Sequence, residues 1–411
     1  MTADLRELGQ SDWDRWYATL ERAFGGVAEQ PEEHELWNSL TEYERAFGFW
    51  DGDTCVSTAG AFSFRMSVPG GAVVDAAGVT MVSVAATHRR RGLLTAMMRH
   101  QLDDVRARGE ALAVLTASEP VIYGRFGYGV GSHQLRLEID KSRVGLAVPA
   151  AADEVRLRYA TPAESGADRE AVYAQRVAGR PGMLARRPGW EKLPTLDPPG
   201  DRNGMSPQQC VLAELDGEVV GYALFAVKPE WDAQGPKGTV RVQDVEALDP
   251  ASYAALWRFL FGIDLTSTVL ALSRPVDDPL TQLVSDIRRC DLRIRDSLHV
   301  RLVDVGAALE ARTYQAPVDL VLDVEDAFCP WNQGRWRLMG DAKGASCKRV
   351  DDDSPADLAL SVRELGSAYL GGVPLTQLAG AGRVRELRQG AVAEASLAFG
   401  STVAPWLPHG F

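Results

Sequence analysis

The residues best placed to do chemistry run from Val82 to Thr95, V-S-V-A-A-T-H-R-R-R-G-L-L-T. A β-branched apolar strand enters a cationic loop holding one glycine, Gly92. A helix follows at once, with Leu93, Leu94, Met97 and Met98 spaced for one buried face. A strand that turns into a helix gathers free backbone N–H groups and the positive end of the helix dipole at one point. Such a point suits an anion, above all a phosphate or pyrophosphate. Arg89, Arg90 and Arg91 add mobile positive charge around it. The G-x-x-x-x-G-K-[ST] loop of nucleoside-triphosphate sites is missing, and so is the G-x-G-x-x-G of dinucleotide folds. A triple arginine alone would read as a basic loop capping an amphipathic helix. Strand, glycine and helix together favour the anion site.

The pattern R-x-x-G-x after a V-x-V strand resembles the acyl-CoA loop of the GCN5-related N-acetyltransferases. The resemblance implies that Val82, Ser83 and Val84 face the pantetheine arm and that Arg90, Arg91, Gly92, Leu93, Leu94 and Thr95 hold the pyrophosphate. Leu94 departs from the usual Gly or Ala. A second segment, S-E-P-V-I-Y-G-R-F-G-Y-G from Ser118 to Gly129, follows the buried strand Ala111 to Ser118. That strand is expected beside the first, where such sheets splay and admit the acyl-CoA arm, so that Ser118 and Glu119 border the cofactor. Tyr123 is the candidate general acid. A departing thiolate belongs to a thiol of pKa about 8.5, and a tyrosine of pKa about 10 stays protonated long enough to donate to it. Tyr128 is the rival, and a hydrogen-bonded core tyrosine is the alternative for either.

These residues need elements to position them. Asp4 to Leu8 reads as a short strand, and Ser11-Asp12-Trp13-Asp14 as a capping box before a helix ending near Gly25. Gln30 to Glu35 is acidic and is expected to be exposed. Glu44 to Trp50 and Thr54 to Arg65 read as strands joined at Asp51-Gly52, and Pro69-Gly70-Gly71 as a further turn. Gly78 to Ala85 is the central strand, and the loop helix runs to about Arg108-Gly109. The middle of the chain echoes this order. A-E-L-D-G-E-V-V-G-Y-A-L-F at 213–225 parallels F-W-D-G-D-T-C-V-S-T-A-G-A-F at 49–62, and V-R-V-Q-D-V-E-A-L-D-P-A-S-Y follows where the loop and helix stood. There Asp249-Pro250 replaces the arginines, so the fold is repeated and the anion site is not. Beyond Cys290 come a short helix at Val303 to Ala311, strands at Asp319 to Glu325 and Arg335 to Met339, and a further segment at Asp357 to Leu365. Ser367 to Leu370 and Leu375 to Ala379 are small helical pieces. Arg363, Arg383, Arg385 and Arg388 read as solvated surface or inter-domain ion pairs. The expected fold is α+β in three parts: residues 1–156 catalytic, 157–288 acetyltransferase-like without a cofactor loop, and 289–411 a third α+β domain.

A chain of 411 residues is too long for one core. Hydrophobic content of 45% and charged content of 24% are those of a globular protein. The net charge of −12 argues against nucleic acid and fits a cationic substrate. Cys55, Cys210, Cys290, Cys329 and Cys347 are odd in number, scattered and without C-x-x-C spacing. Neither a disulfide frame nor a metal site is expected. No apolar run spans a membrane and no signal-peptide core opens the chain, so a cytoplasmic protein is expected.

The strings I-Y-G-R-F-G-Y-G and V-x-V-A-x-T-H-R-R-R-G-L-L, with the length and the three-part layout, resemble the Eis family of actinobacterial acetyltransferases. The resemblance is strongest over residues 78–130 and weak through the middle. It implies two tandem GNAT-like domains followed by a sterol-carrier-protein-like domain, acetyl-CoA as acyl donor and a homohexamer. It implies acetylation of amines, aminoglycosides notably, and lysine side chains in some members. It also implies that the C-terminal carboxylate, carried here by Phe411, is the general base. Desolvation beside an aromatic ring would raise that carboxylate's pKa from about 3.5. His409 is a local variation in base or substrate contact. Phe24, Glu29, Trp37 and Met81 are candidate linings of the amine pocket, where carboxylates and aromatic faces would draw a polycation. For Trp37, plain core packing is an equal alternative. Protein-lysine acetylation and a non-catalytic lipid-binding role remain alternatives to small-amine acetylation.

Overall fold

The central strand expected at Gly78 to Ala85 is longer, Val73–Val84, and lies inside a nine-stranded sheet. The computed structural model describes residues 3–411. Val73–Val84 pairs antiparallel with Ser57–Ser67 and parallel with Leu112–Thr116. The parallel pairing covers only Ala76 to Gly78 against Leu112 to Val114. Beyond Gly78 the two strands part, and a bulge turns the central strand at Met81, whose φ is 53°. The helix Leu93–Ala107 lies beside this pair with Met97, Met98, Leu102 and Val105 fully buried; of the four residues spaced for one buried face, Leu93 and Leu94 are only half-buried. Each such side chain contributes roughly 1.5–3 kcal/mol through burial.

The echo is real as a fold. Gln209–Leu215 and Glu218–Lys228 form the second Asp-Gly hairpin, and Gly238–Ala247 runs parallel to Thr266–Pro275. Between them the helix Pro250–Phe261 starts at Asp249, whose carboxylate accepts from the Ser252 N–H at 2.9 Å. The seven-stranded sheet built on these strands mirrors the first.

The divisions expected after residues 156 and 288 do not follow the sheets. His133–Asp140 leaves the first unit and pairs with Thr266–Pro275 in the second sheet. Leu298–Leu302, expected in the third part, inserts between Leu112–Thr116 and Gly129–Val130 of the first. Each acetyltransferase-like sheet is thus closed by a strand from outside its own stretch of sequence. Alternating Leu135, Leu137 and Ile139 fit any sheet with one buried face, so periodicity could not say which sheet takes the strand.

The third unit is a five-stranded sheet that includes Val318–Glu325, Gly334–Asp341 and Gly344–Arg349, with helices Val305–Glu310, Val362–Tyr369, Leu375–Gly380 and Ala391–Phe399. The segment expected at Asp357 to Leu365 stays strand only over Leu358–Ser361, then turns helical at Val362. Gln30 to Glu35 enters a helix, Pro31–Leu40, with Pro at its first position and Glu32 and Glu33 in its first turn; Glu32 and Glu35 are exposed as expected, and Glu33 is half-buried. The capping box at Ser11 to Asp14 does not form. Asp12 makes no cap hydrogen bond and pairs instead with Arg15.

Candidate active site

At the mouth of the splayed strands the arginine loop adopts an alternating backbone. Arg90 (φ 62°) and Gly92 (φ 84°) are left-handed on either side of Arg91. No side chain caps the helix that begins at Leu93, and the Gly92 carbonyl accepts from Ala96 at 3.0 Å. The first-turn N–H groups of Leu93, Leu94 and Thr95 are therefore without intrahelical partners. Alternating hands plus a helix start make a concavity of N–H groups for an anion. A Cβ at Gly92 would meet nothing within 4 Å, so its left-handed backbone, not crowding, calls for glycine.

A cavity of about 880 Å³ opens here, lined by Arg89, Arg90 and Gly92 to Thr95, by Met81 to Val84, and by Ser118, Glu119 and Tyr123. Arg91 is the one expected cofactor contact outside it. Its guanidinium turns back to the Thr87 carbonyl at 3.0 Å. Thr58 fixes the bulge, donating to the Met81 carbonyl at 2.6 Å and meeting the Ser83 hydroxyl at 2.7 Å.

Tyr123 sits in the 3₁₀ segment Pro120–Phe126, which starts with proline and ends at Gly127, φ 86°. It is partly buried, and burial followed by the Glu119 charge pushes its phenol up to about 12. Tyr128, the rival, lies beneath with ring centres 6.0 Å apart. It is fully buried outside the cavity lining, and its hydroxyl has no partner among the described residues.

The helices Trp13–Ala23 and Pro31–Leu40 add further residues to the cavity lining. The four residues expected there, Phe24, Glu29, Trp37 and Met81, all line it. Sequence reasoning missed Glu33, Glu21 and Tyr17. The Tyr17 hydroxyl donates to Glu29, and burial raises the Glu29 and Glu33 carboxyls above their ordinary value. Pro31 followed by acidic residues was the available sign of a helix that would turn Glu33 inward.

Phe411 also lines the cavity, its ring 4.8 Å from Phe64. His409 does not. Its Nε2 accepts from Arg186 Nε at 3.5 Å, which leaves Nδ1–H to donate to the Gly410 carbonyl at 3.3 Å. Burial, then the Arg186 cation, depress His409 to about 3, so the ring is neutral. A proton-accepting atom so occupied does not serve as a base. Among the described residues no cluster of metal ligands occurs, and no helix is long and apolar enough to cross a membrane.

Comparison with known proteins agrees with this layout. Residues 4–131 and 182–302 each match a family described as an acetyltransferase (GNAT) domain, and residues 305–408 match a sterol carrier protein domain. An N-acetyltransferase of Streptomyces avermitilis is 70% identical over 411 residues, covering 100% of both chains. The N-acetyltransferase Eis of Mycobacterium tuberculosis is 32% identical over 421 residues, covering 98% of each. The crystal structure of Eis1 from Mycobacterium abscessus superposes with a TM-score of 0.83 at 32% identity, over 99% of this chain and 100% of that one.

Proposed function

The chain belongs to the Eis family of N-acetyltransferases, and from that premise we propose that it acetylates amines of polycationic small molecules, aminoglycosides among them, by direct transfer from acetyl-CoA. One observation carries the reading. Tyr123 and Phe411, far apart in sequence, line one cavity together with the arginine loop and with Glu21, Glu29 and Glu33.

The residues present suit acetyl-CoA. The N–H groups after Gly92 and the flanking arginines fit its pyrophosphate, and the gap past Gly78 fits an extended thiol arm. Bound there, acetyl-CoA supplies the acetyl group. The chain supplies orientation and proton transfer. Tyr123, with its pKa raised, keeps its proton at neutral pH and holds it for the departing sulfur. The carboxylate that Phe411 carries when it ends the chain takes a proton from the substrate ammonium, directly or through water. The ring of Phe64 packs edge-on against the Phe411 ring and helps fix that residue in the cavity. Backbone N–H groups of the central strand would be the donors that polarise the carbonyl of a thioester bound there. Glu29, Glu33 and the faces of Phe24 and Trp37 draw the rest of the polycation.

The test is release of CoA thiol with a panel of aminoglycosides, polyamines and lysine peptides. Turnover of the polycationic small molecules is expected. Turnover of lysine peptides alone would move the acceptor to proteins. We also propose a homohexamer, for which light scattering should return six chains, and a monomeric mass would contradict it.

A further inference from the structure

We propose that the cleft of the second acetyltransferase-like unit, which stands where the first unit takes its cofactor, is a clamp for the chain's own C-terminal segment. Arg274, Asp277 and Arg180 are then positioning residues for Phe411. The proposal rests on the reading of the Phe411 carboxylate as base.

The two clefts correspond residue by residue. In the first unit the parallel pairing ends at Gly78 against Val114, and in the second at Val242 against Ala271. Three residues further along stand Met81 and Ala117 in one, and Val245 and Arg274 in the other. The first gap is cavity. The second is bridged: Arg274, only 4% exposed, donates from Nη1 to the Val245 carbonyl at 3.0 Å and from Nε to Asp278 at 2.6 Å.

The C-terminal segment lies on this bridge. The Trp406 ring is 5.1 Å from the Arg274 guanidinium, and the residue is 2% exposed. Just before it, both polar groups of Ala404 are held. Its N–H donates to Asp277 Oδ2 at 2.8 Å, and its carbonyl accepts from Arg180 Nη1 at 2.6 Å. Arg180 and Asp277 also pair with each other at 2.7 Å. The Trp406 N–H donates to the Pro181 carbonyl at 2.9 Å. Gly182, at φ +89°, lets that backbone approach, since a Cβ there would stand 3.1 Å from the Trp406 carbonyl oxygen. From this anchor the chain runs past His409, held by Arg186, to place Phe411 in the first unit's cavity. A clamp only a few residues upstream fixes where the last carboxylate stands, and small misplacements of a reacting group cost rate steeply.

Asp277→Ala in the full chain should lower kcat on the order of 10- to 100-fold while KM for acetyl-CoA stays put. Asp277→Asn keeps an acceptor for the Ala404 N–H and should recover most of the loss. Combined with removal of Phe411, Asp277→Ala should add nothing further. Parent kcat in Asp277→Ala beside a collapsed kcat without Phe411 overturns the clamp and leaves the base standing. An unchanged kcat without Phe411 removes the base, and the clamp with it. Arg180→Ala serves as the second variant if Asp277→Ala proves unstable.

Discussion

The two acetyltransferase-like units share strand order, an Asp-Gly hairpin, a parallel pair and a helix after it, yet differ at two short places. After the first central strand comes a loop with left-handed Arg90 and Gly92. After the second comes Asp249-Pro250, whose carboxylate caps the helix that the first unit leaves open. Past the parallel pair, the first gap is part of the cavity and the second is bridged by Arg274, against whose guanidinium the Trp406 ring packs. A helix start that opens with proline and is capped by a carboxylate offers few donors to an anion and repels it, and a bridged gap has no room for a thioester arm. A few residues thus separate a cleft that can do chemistry from one that holds structure.

The sharpest way to break this contrast is at Tyr123. Tyr123→Phe should lower kcat roughly 10²- to 10⁴-fold and leave acetyl-CoA affinity unchanged by calorimetry. Lost affinity would assign Tyr123 to binding instead. Next comes the loop. Gly92→Val forces a β-branched residue into a left-handed backbone. Acetyl-CoA should bind about 10-fold more weakly or worse, with little change in melting temperature. In the second unit Arg274→Met should do the reverse. It leaves Asp278 buried without its cation, which should cost about 3–5 kcal/mol in denaturant unfolding, while acetyl-CoA affinity holds. The smallest effect concerns His409. Its folded pKa of about 3 lies below the unfolded value of about 6.5, so the unfolded chain binds the extra proton first. Its contribution is full above about 6.5 and is lost as pH falls toward about 3. His409→Gln should flatten the acid limb of melting temperature against pH in that window.

Much of the first unit was legible because its signals are local. Strand, arginines, Gly92 and helix are contiguous, and the structure keeps that order. The echo was legible for the same reason, from Asp216-Gly217 and Asp249-Pro250. What escaped was long-range. Nothing in His133–Asp140 says which sheet it joins, and nothing in Leu298–Leu302 says that it returns to the first. The bridge of Arg274 to Val245 and the hold of Asp277 on Ala404 join residues distant in sequence, which no local pattern encodes. Glu33 escapes notice because an acidic run reads as exposed surface, although Pro31 marks a helix start. Phe411 was reached only through family resemblance, since a terminal aromatic residue carries no pattern of its own.

The proposed contrast between the clefts turns on the C-terminal segment, anchored beside Arg274 with Phe411 lining the first unit's cavity. Its most direct test is CoA-thiol release from acetyl-CoA and a polycationic amine, by the full chain and by the chain lacking Phe411. The account predicts a kcat at least about 10²-fold lower in the shortened chain, with acetyl-CoA affinity unchanged. A shortened chain that turns over at the parent rate would contradict it.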